Sequence, residues 1–268
     1  MTDRIDTGDG EIAWTRHGEG PPLLMVNGYA ATGADWDPAF IAGLAETFDV
    51  LCPDNRGMGG SDLGAGPMTV DRLVEDLVDL LDALEIERAA VAGWSMGGFV
   101  AQALAAAHPS RVGGLVLLAT AAAGPGSVAA DPAVTARLFD HSGMPREQAS
   151  RLIGLLFPEG IAEEIDAEFG EVVAAARAAL SPAALEAQEE LIRRWHREPA
   201  GLSLAAIGAP TLAMAGEEDV VIPPGNATIL ASSIAGAQLE LFPGAGHAFI
   251  AQEAQRASGS IRDFLAAS

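Results

Sequence analysis

Residues Gly93-Trp94-Ser95-Met96-Gly97-Gly98 constrain this chain more than any other stretch. They separate two apolar runs, Ala89-Ala90-Val91-Ala92 and Phe99-Val100-Ala101-Gln102-Ala103-Leu104. The first reads as a short buried strand and the second as a helix. A serine with glycine two residues before and two after therefore sits on a sharp strand-to-helix turn. Side chains at the two glycine positions would collide with the neighbouring strand or helix. The turn holds the hydroxyl at the carboxyl end of the strand, beside the positive end of a helix dipole. Capping the helix is the other role open to such a serine.

Two later strand ends carry chemistry. Ala209-Pro210-Thr211-Leu212-Ala213-Met214-Ala215-Gly216 has a buried-strand pattern and runs into Glu217-Glu218-Asp219. Gln238-Leu239-Glu240-Leu241-Phe242 alternates as a strand and ends in Pro243-Gly244-Ala245-Gly246-His247. An acid and a histidine thus fall past strand ends on the same edge as Ser95, the edge where ligands bind in parallel α/β sheets. Residues 11–18, 22–26, 48–54 and 112–119 read as further strands. Thr69 to Glu85 is an amphipathic helix, with apolar residues at Val70, Leu73, Val74, Leu77, Leu80, Leu81 and Leu84. No repeat at solenoid spacing is present.

These motifs, with Asp54-Asn55-Arg56-Gly57-x-Gly59-x-Ser61-Asp62, Gly216-x-x-Asp219 with Pro223, and Gly246-His247, resemble the α/β-hydrolase family over essentially the whole chain. The Asp-Asn-Arg-Gly turn and the Trp-Ser-Met-Gly-Gly elbow are most similar to small carboxylesterases, 3-oxoadipate enol-lactonases and non-haem bromoperoxidase or perhydrolase proteins. The resemblance implies an α/β-hydrolase fold, a mostly parallel sheet flanked by helices with a helical cap after strand 6. Residues 1–121 and 207–268 would form the core domain and 122–206 the cap. Strand-helix alternation does stop between about Ala121 and Ala206, where Gly124-Pro125-Gly126 precedes helical patterns at Ala149 to Phe157 and Ala183 to Trp195. Helices packed elsewhere on the core would give the same pattern.

For the site, the resemblance implies Ser95 as nucleophile, His247 as general base and Asp219 as the acid that fixes the imidazole tautomer. Glu217 and Glu218 adjoin Asp219 and are the competing acids. His17, His108, His141 and His196 lack the post-strand position near the C-terminus. The backbone N–H groups of Met96 and Tyr29 would receive the developing oxyanion. Asn27 stands where similar hydrolases usually carry histidine, and it too can donate and accept hydrogen bonds. Asn27, Gly28, Trp36 and Trp94 are the expected substrate-binding positions, core packing being the alternative for the two tryptophans. Asp54, Arg56 and Asp62 are expected to build a turn through hydrogen bonds and ion pairs.

Charge narrows the partners. With 15 basic and 37 acidic side chains the net charge is −22, which argues against nucleic acid or an anionic membrane as partner. No apolar run approaches the roughly 18–20 residues that span a bilayer, the N-terminus is unlike a signal peptide, and the single Cys52 cannot make an internal disulfide. A cytoplasmic protein is expected, with no metal site, Rossmann fingerprint or P-loop, no cofactor, and a small molecule as partner; homo-oligomerisation is left open. The sequence therefore points to a cofactor-free serine hydrolase of the ester-bond class (EC 3.1.1) cleaving a small ester or lactone. Perhydrolysis or carbon–carbon bond hydrolysis by the same residues, and small-ligand binding without catalysis, are the alternatives.

Overall fold

The computed structural model describes residues 2–198 and 201–267. Met1, Pro199, Ala200 and Ser268 lie outside the described residues, so the expected segments 1–121, 122–206 and 207–268 are each described in part. Strands β1 (Asp3–Asp6), β2 (Glu11–His17), β3 (Pro22–Val26), β4 (Asp49–Pro53), β5 (Ala89–Trp94), β6 (Val112–Leu118), β7 (Thr211–Gly216) and β8 (Gln238–Phe242) form one sheet. Their order is β1-β2-β4-β3-β5-β6-β7-β8. β2 is antiparallel to β1 and β4, and every other pairing is parallel. The fold is that of the α/β hydrolases, as expected. β1 is not among the strands that the sequence pattern predicts: its Asp-Arg-Ile-Asp sequence has no buried residue and pairs only at the exposed sheet edge.

The helices are α1 (Pro38–Ala45), α2 (Val70–Ala83), α3 (Met96–Ala107), α4 (Pro132–Leu138), α5 (Pro145–Leu156), α6 (Glu159–Ala178), α7 (Pro182–Arg197), α8 (Gly225–Ser233), α9 (Phe249–Gln252) and α10 (Ala254–Ala266). The period of two along each strand sorts the core into two layers. Leu24, Val26, Val91, Leu115 and Leu117 pack against Leu73, Leu77, Phe99 and Leu104 of α2 and α3. Leu23, Met25, Ala92, Val116 and Leu118 pack with Phe40, Leu44, Phe249 and Ile261 of α1, α9 and α10. Cys52 lies in this second layer, where burial pushes its thiol up to about 12.

Helices α4 to α7 fill the interval between β6 and β7. α5 and α6 pack on each other and are joined by the ion pair of Arg146 with Asp166. α7 returns to the core: Trp195 stacks on Phe99 with ring centroids 4.7 Å apart, and its Nε1 donates to Ala121 O at 3.1 Å. This end of the interval is anchored.

The turn after β4 is held by the hydrogen bonds and ion pairs that its sequence predicts. Asp54 accepts from Gly33 N at 2.7 Å and Gly60 N at 2.8 Å, and Asp62 accepts from Glu11 N at 3.0 Å. Arg56, 3% exposed, forks onto Asp76 on α2 through Nε at 3.0 Å and Nη2 at 2.5 Å. Removing one partner of a buried pair strands the other charge. Asp76→Ala should therefore cost roughly 3 kcal/mol in chemical denaturation, Asp9 compensating in part; a loss under about 1 kcal/mol, the scale of an exposed pair, would show that the pair does not hold the turn.

Candidate active site

Ser95 is the first residue beyond β5 and immediately precedes α3. Its φ of 56° and ψ of −121° lie in a region that L-residues rarely occupy, a local cost on the order of 1–3 kcal/mol. The turn is over-determined by its surroundings. Ser95 N donates to Leu118 O at 2.9 Å, and Thr120 Oγ1 donates to Ser95 O at 2.7 Å. A Cβ on Gly97 would run into the backbone carbonyls of Val26 and Asn27, so α3 can approach β3 this closely only with glycine there. Although Ser95 occupies the N-cap position, its hydroxyl makes no capping bond to the helix.

The loops after β7 and β8 are stitched to each other. Glu217 N donates to Phe242 O at 3.0 Å and Glu218 N to Ala245 O at 2.9 Å. This brings Asp219 Oδ2 to 2.7 Å from His247 Nδ1, with both residues buried. The other oxygen, Asp219 Oδ1, accepts from Val221 N at 2.8 Å and Ile222 N at 2.9 Å. The carboxylate is thus fixed on two sides, while Glu217 and Glu218 are exposed. With Nδ1 as donor to Asp219, Nε2 of His247 is the lone-pair nitrogen.

Trp94, adjacent to Ser95, links the two halves of the site. Its Nε1 donates to His247 O at 3.1 Å and its ring lies 5.3 Å from the imidazole. Trp36 stands one layer further back, 4% exposed, packed on Trp94 at 6.1 Å and Phe40 at 6.2 Å. Core packing accounts for the position of Trp36.

The loop after β3 comes within contact of the elbow: a Cβ on Gly28 would sit 3.1 Å from Ser95 Cβ. Asn27 shapes this loop. It accepts from Gly28 N at 2.9 Å, donates from Nδ2 to Thr32 O at 2.5 Å, and its carbonyl receives Asn55 Nδ2 at 2.9 Å. Ala30 N donates to Gln188 Oε1 of α7 at 2.8 Å. The amides on both sides of Tyr29 N–H are therefore tied. Met96 N–H is a first-turn amide of α3, which intrahelical bonding leaves free.

Beyond Tyr29 lies a polar cluster that sequence reasoning missed. The Tyr29 hydroxyl donates to Glu189 Oε1 at 3.0 Å; Glu189 also meets His141 Nε2 at 2.5 Å and Arg193 Nη2 at 2.7 Å. Burial works against the Glu189 carboxylate, but hydrogen bonds from His141, Tyr29 and Arg193 outweigh it and keep the group below its ordinary range. Burial, then Glu189, push the Tyr29 phenol upward, while the Arg177 guanidinium facing it pulls the other way. One signal for this cluster exists: Gln188 falls on the apolar stripe of Ala184, Leu191 and Trp195, where a polar residue calls for a partner. Among the described residues, no group of three or more His, Cys, Asp or Glu side chains is placed to hold a metal ion, and no helix is long and apolar enough to cross a membrane.

The family model described as alpha/beta hydrolase fold matches residues 21–153, and that of the Dienelactone hydrolase family matches residues 196–263. A putative carbamate hydrolase RutD of Azorhizobium caulinodans is 31% identical over 91% of this chain and 91% of its own. The chain belongs to the α/β-hydrolase family. A 2-hydroxymuconate semialdehyde hydrolase of a Pseudomonas species is 33% identical to this α/β hydrolase, over 93% of its chain and 88% of the relative. The solved enol-lactonase of Burkholderia xenovorans superposes with a TM-score of 0.81 at 26% identity, over 98% of this α/β hydrolase and all of that chain. These relatives are hydrolases named for different substrates.

An imidazole oriented by a buried carboxylate can take a proton from a hydroxyl, and the orientation depends on which acid accepts from Nδ1. In this α/β hydrolase Asp219→Asn should lower kcat roughly 10⁴-fold by disturbing the His247 tautomer. Glu217→Gln and Glu218→Gln should leave kcat within about twofold, as expected of solvated charges. A Glu218→Gln variant crippled to the same degree, with Asp219→Asn active, would reverse the assignment.

Proposed function

We propose that this α/β hydrolase is a cofactor-free serine hydrolase that cleaves a small carboxylic ester or lactone through an acyl-enzyme on Ser95. The observation that carries this reading is the buried His247–Asp219 contact, on the same sheet edge as a strained Ser95 whose hydroxyl is not used to cap α3. His247 Nε2 removes the Ser95 proton as Oγ bonds to the carbonyl carbon, and Tyr29 N–H and Met96 N–H receive the oxyanion. Collapse breaks the bond to the leaving oxygen, which takes the proton from His247. Water, deprotonated by the same imidazole, then releases the acid and restores Ser95. Asn27 and Gly28 shape the acyl site, Trp94 backs the imidazole with Trp36 packed behind it, and residues 122–206 act as a cap. A cytoplasmic location completes the reading, supported by a lone buried cysteine.

Arg177 narrows the substrate. It is 9% exposed, and its Nε has no hydrogen-bond partner. Among the described residues it forms no ion pair, in a chain where acids outnumber bases 37 to 15. A largely buried guanidinium that meets the Tyr29 hydroxyl but no carboxylate is stabilised by an anionic group brought beside it. Its place beside the Tyr29 hydroxyl supports an acyl group that carries a carboxylate at its far end. A second reading keeps the same residues for carbon–carbon bond hydrolysis; the 33% identity to a semialdehyde hydrolase favours it.

A panel of 4-nitrophenyl esters tests this. Ser95→Ala should lose at least about 10³-fold in kcat. Half-esters of dicarboxylic acids should exceed neutral esters of equal length by about tenfold or more in kcat/KM, a ratio that Arg177→Met abolishes, as expected for one charge-assisted contact. No ester or lactone turnover together with cleavage of a vinylogous diketone would favour the second reading. Turnover indifferent to Ser95 would exclude both.

A further inference from the structure

We infer that Gln188, on α7, is a positioning residue for the oxyanion site: through Ala30 N–H it holds the backbone that aims Tyr29 N–H. The inference rests on the hydrolase reading above and goes beyond it, because it assigns part of the catalytic geometry to the interval between β6 and β7.

Three observations carry it. Ala30 has a φ of 56°, a left-handed conformation for which glycine is the usual residue. An alanine stays there only where its surroundings compel it, and Gln188 Oε1 at 2.8 Å is the side chain that meets its N–H. Secondly, Gln188 is wholly buried, and its Nε2 has no partner. A methionine of similar size would fill the same space without that desolvation cost. Packing alone therefore does not account for an amide here, whereas an acceptor for Ala30 N–H does. Thirdly, α7 is a firm base. Leu191 and Trp195, three and seven residues further on, are buried in the core, and Trp195 stacks on Phe99 of α3, the helix that Ser95 introduces.

The adjoining residue doubles the attachment. Glu189 accepts from the Tyr29 hydroxyl at 3.0 Å, so consecutive residues of α7 grip both the side chain of Tyr29 and the backbone of Ala30. On the opposite side, Asn27 Oδ1 holds Gly28 N at 2.9 Å. Tyr29 N–H lies between these two fixed amides. Oxyanion stabilisation depends on donors that do not reorganise as charge develops, and small misplacements are costly. Gln188 supplies that rigidity from a helix 158 residues away in sequence.

Gln188→Met removes the acceptor and keeps the volume. With a short neutral 4-nitrophenyl ester, kcat should fall roughly tenfold to a hundredfold, less than the 10²–10³ of losing a donor outright. KM should stay within about threefold, because the ground-state carbonyl uses the donors less than the transition state does. Inhibition by an arylboronic acid, whose tetrahedral adduct mimics the oxyanion, should weaken by the same factor as kcat. Unchanged kcat in folded Gln188→Met, a raised KM with kcat retained, or a lower kcat with unchanged boronate inhibition would each overturn the inference. Amide hydrogen exchange on the wild-type protein tests the contact even if the variant does not fold. Ala30 N–H should exchange slowly, and exchange at the rate of an unstructured peptide would overturn the inference. A wild-type protein without Ser95-dependent turnover would instead sink the hydrolase reading.

Discussion

Everything at the site hangs on how closely α3 can approach the end of β3. Gly97 faces the carbonyls of Val26 and Asn27 with no room for a Cβ. That approach turns the chain at Ser95 through a left-handed φ, and the cost is spread over bonds that hold the turn from outside: Leu118 O to Ser95 N, and Thr120 Oγ1 to Ser95 O. The same closeness brings the loop after β3 against the elbow, where a Cβ on Gly28 would meet the Ser95 side chain. A Cβ at Gly97 would force the helix and the end of β3 apart.

The imidazole reaches this place by a different route. Backbone bonds between the loops after β7 and β8 set the spacing of Asp219 and His247. Trp94 then ties His247 to the elbow through its indole N–H and its ring. Two short-range constructions, one at the β5–α3 turn and one across β7 and β8, are joined by a single tryptophan. The helical interval adds a third attachment, because α7 is anchored on Phe99 at one end and grips Tyr29 and Ala30 in its middle.

Much of this is legible in the residues themselves. Buried parallel strands are continuous apolar runs, so β3 to β7 announce themselves, and glycine spacing marks the elbow. Asn27 in place of histidine reads as an equivalent donor and acceptor, and its bonds to Gly28 N and Thr32 O are of that kind. Other parts are not legible, for physical reasons. β1 is an exposed edge strand of mostly charged residues. α6 buries only Ala162, Gly170, Ala174 and Arg177 of its twenty residues, so its apolar period is faint. Among the three adjacent acids at 217–219 only the Gly216-x-x-Asp219 spacing singles out Asp219 in the sequence; its burial and its bond to His247 Nδ1 come from the fold. The cluster of Arg177, Gln188 and Glu189 around the loop after β3 depends on contacts across more than a hundred residues; the apolar stripe of α7 marks Gln188 as needing a partner but does not say which.

On the proposed mechanism Ser95 carries the acyl group during turnover. Rapid mixing of the protein with excess 4-nitrophenyl acetate, quenched in acid and followed by peptide mass mapping, tests it directly. A burst of nitrophenol approaching one equivalent per chain is expected wherever deacylation is the slower step, with acetyl mass on the peptide that contains Ser95. Steady turnover with the acetyl group on another residue, or with none on Ser95 while nitrophenol accumulates in a burst, would contradict it.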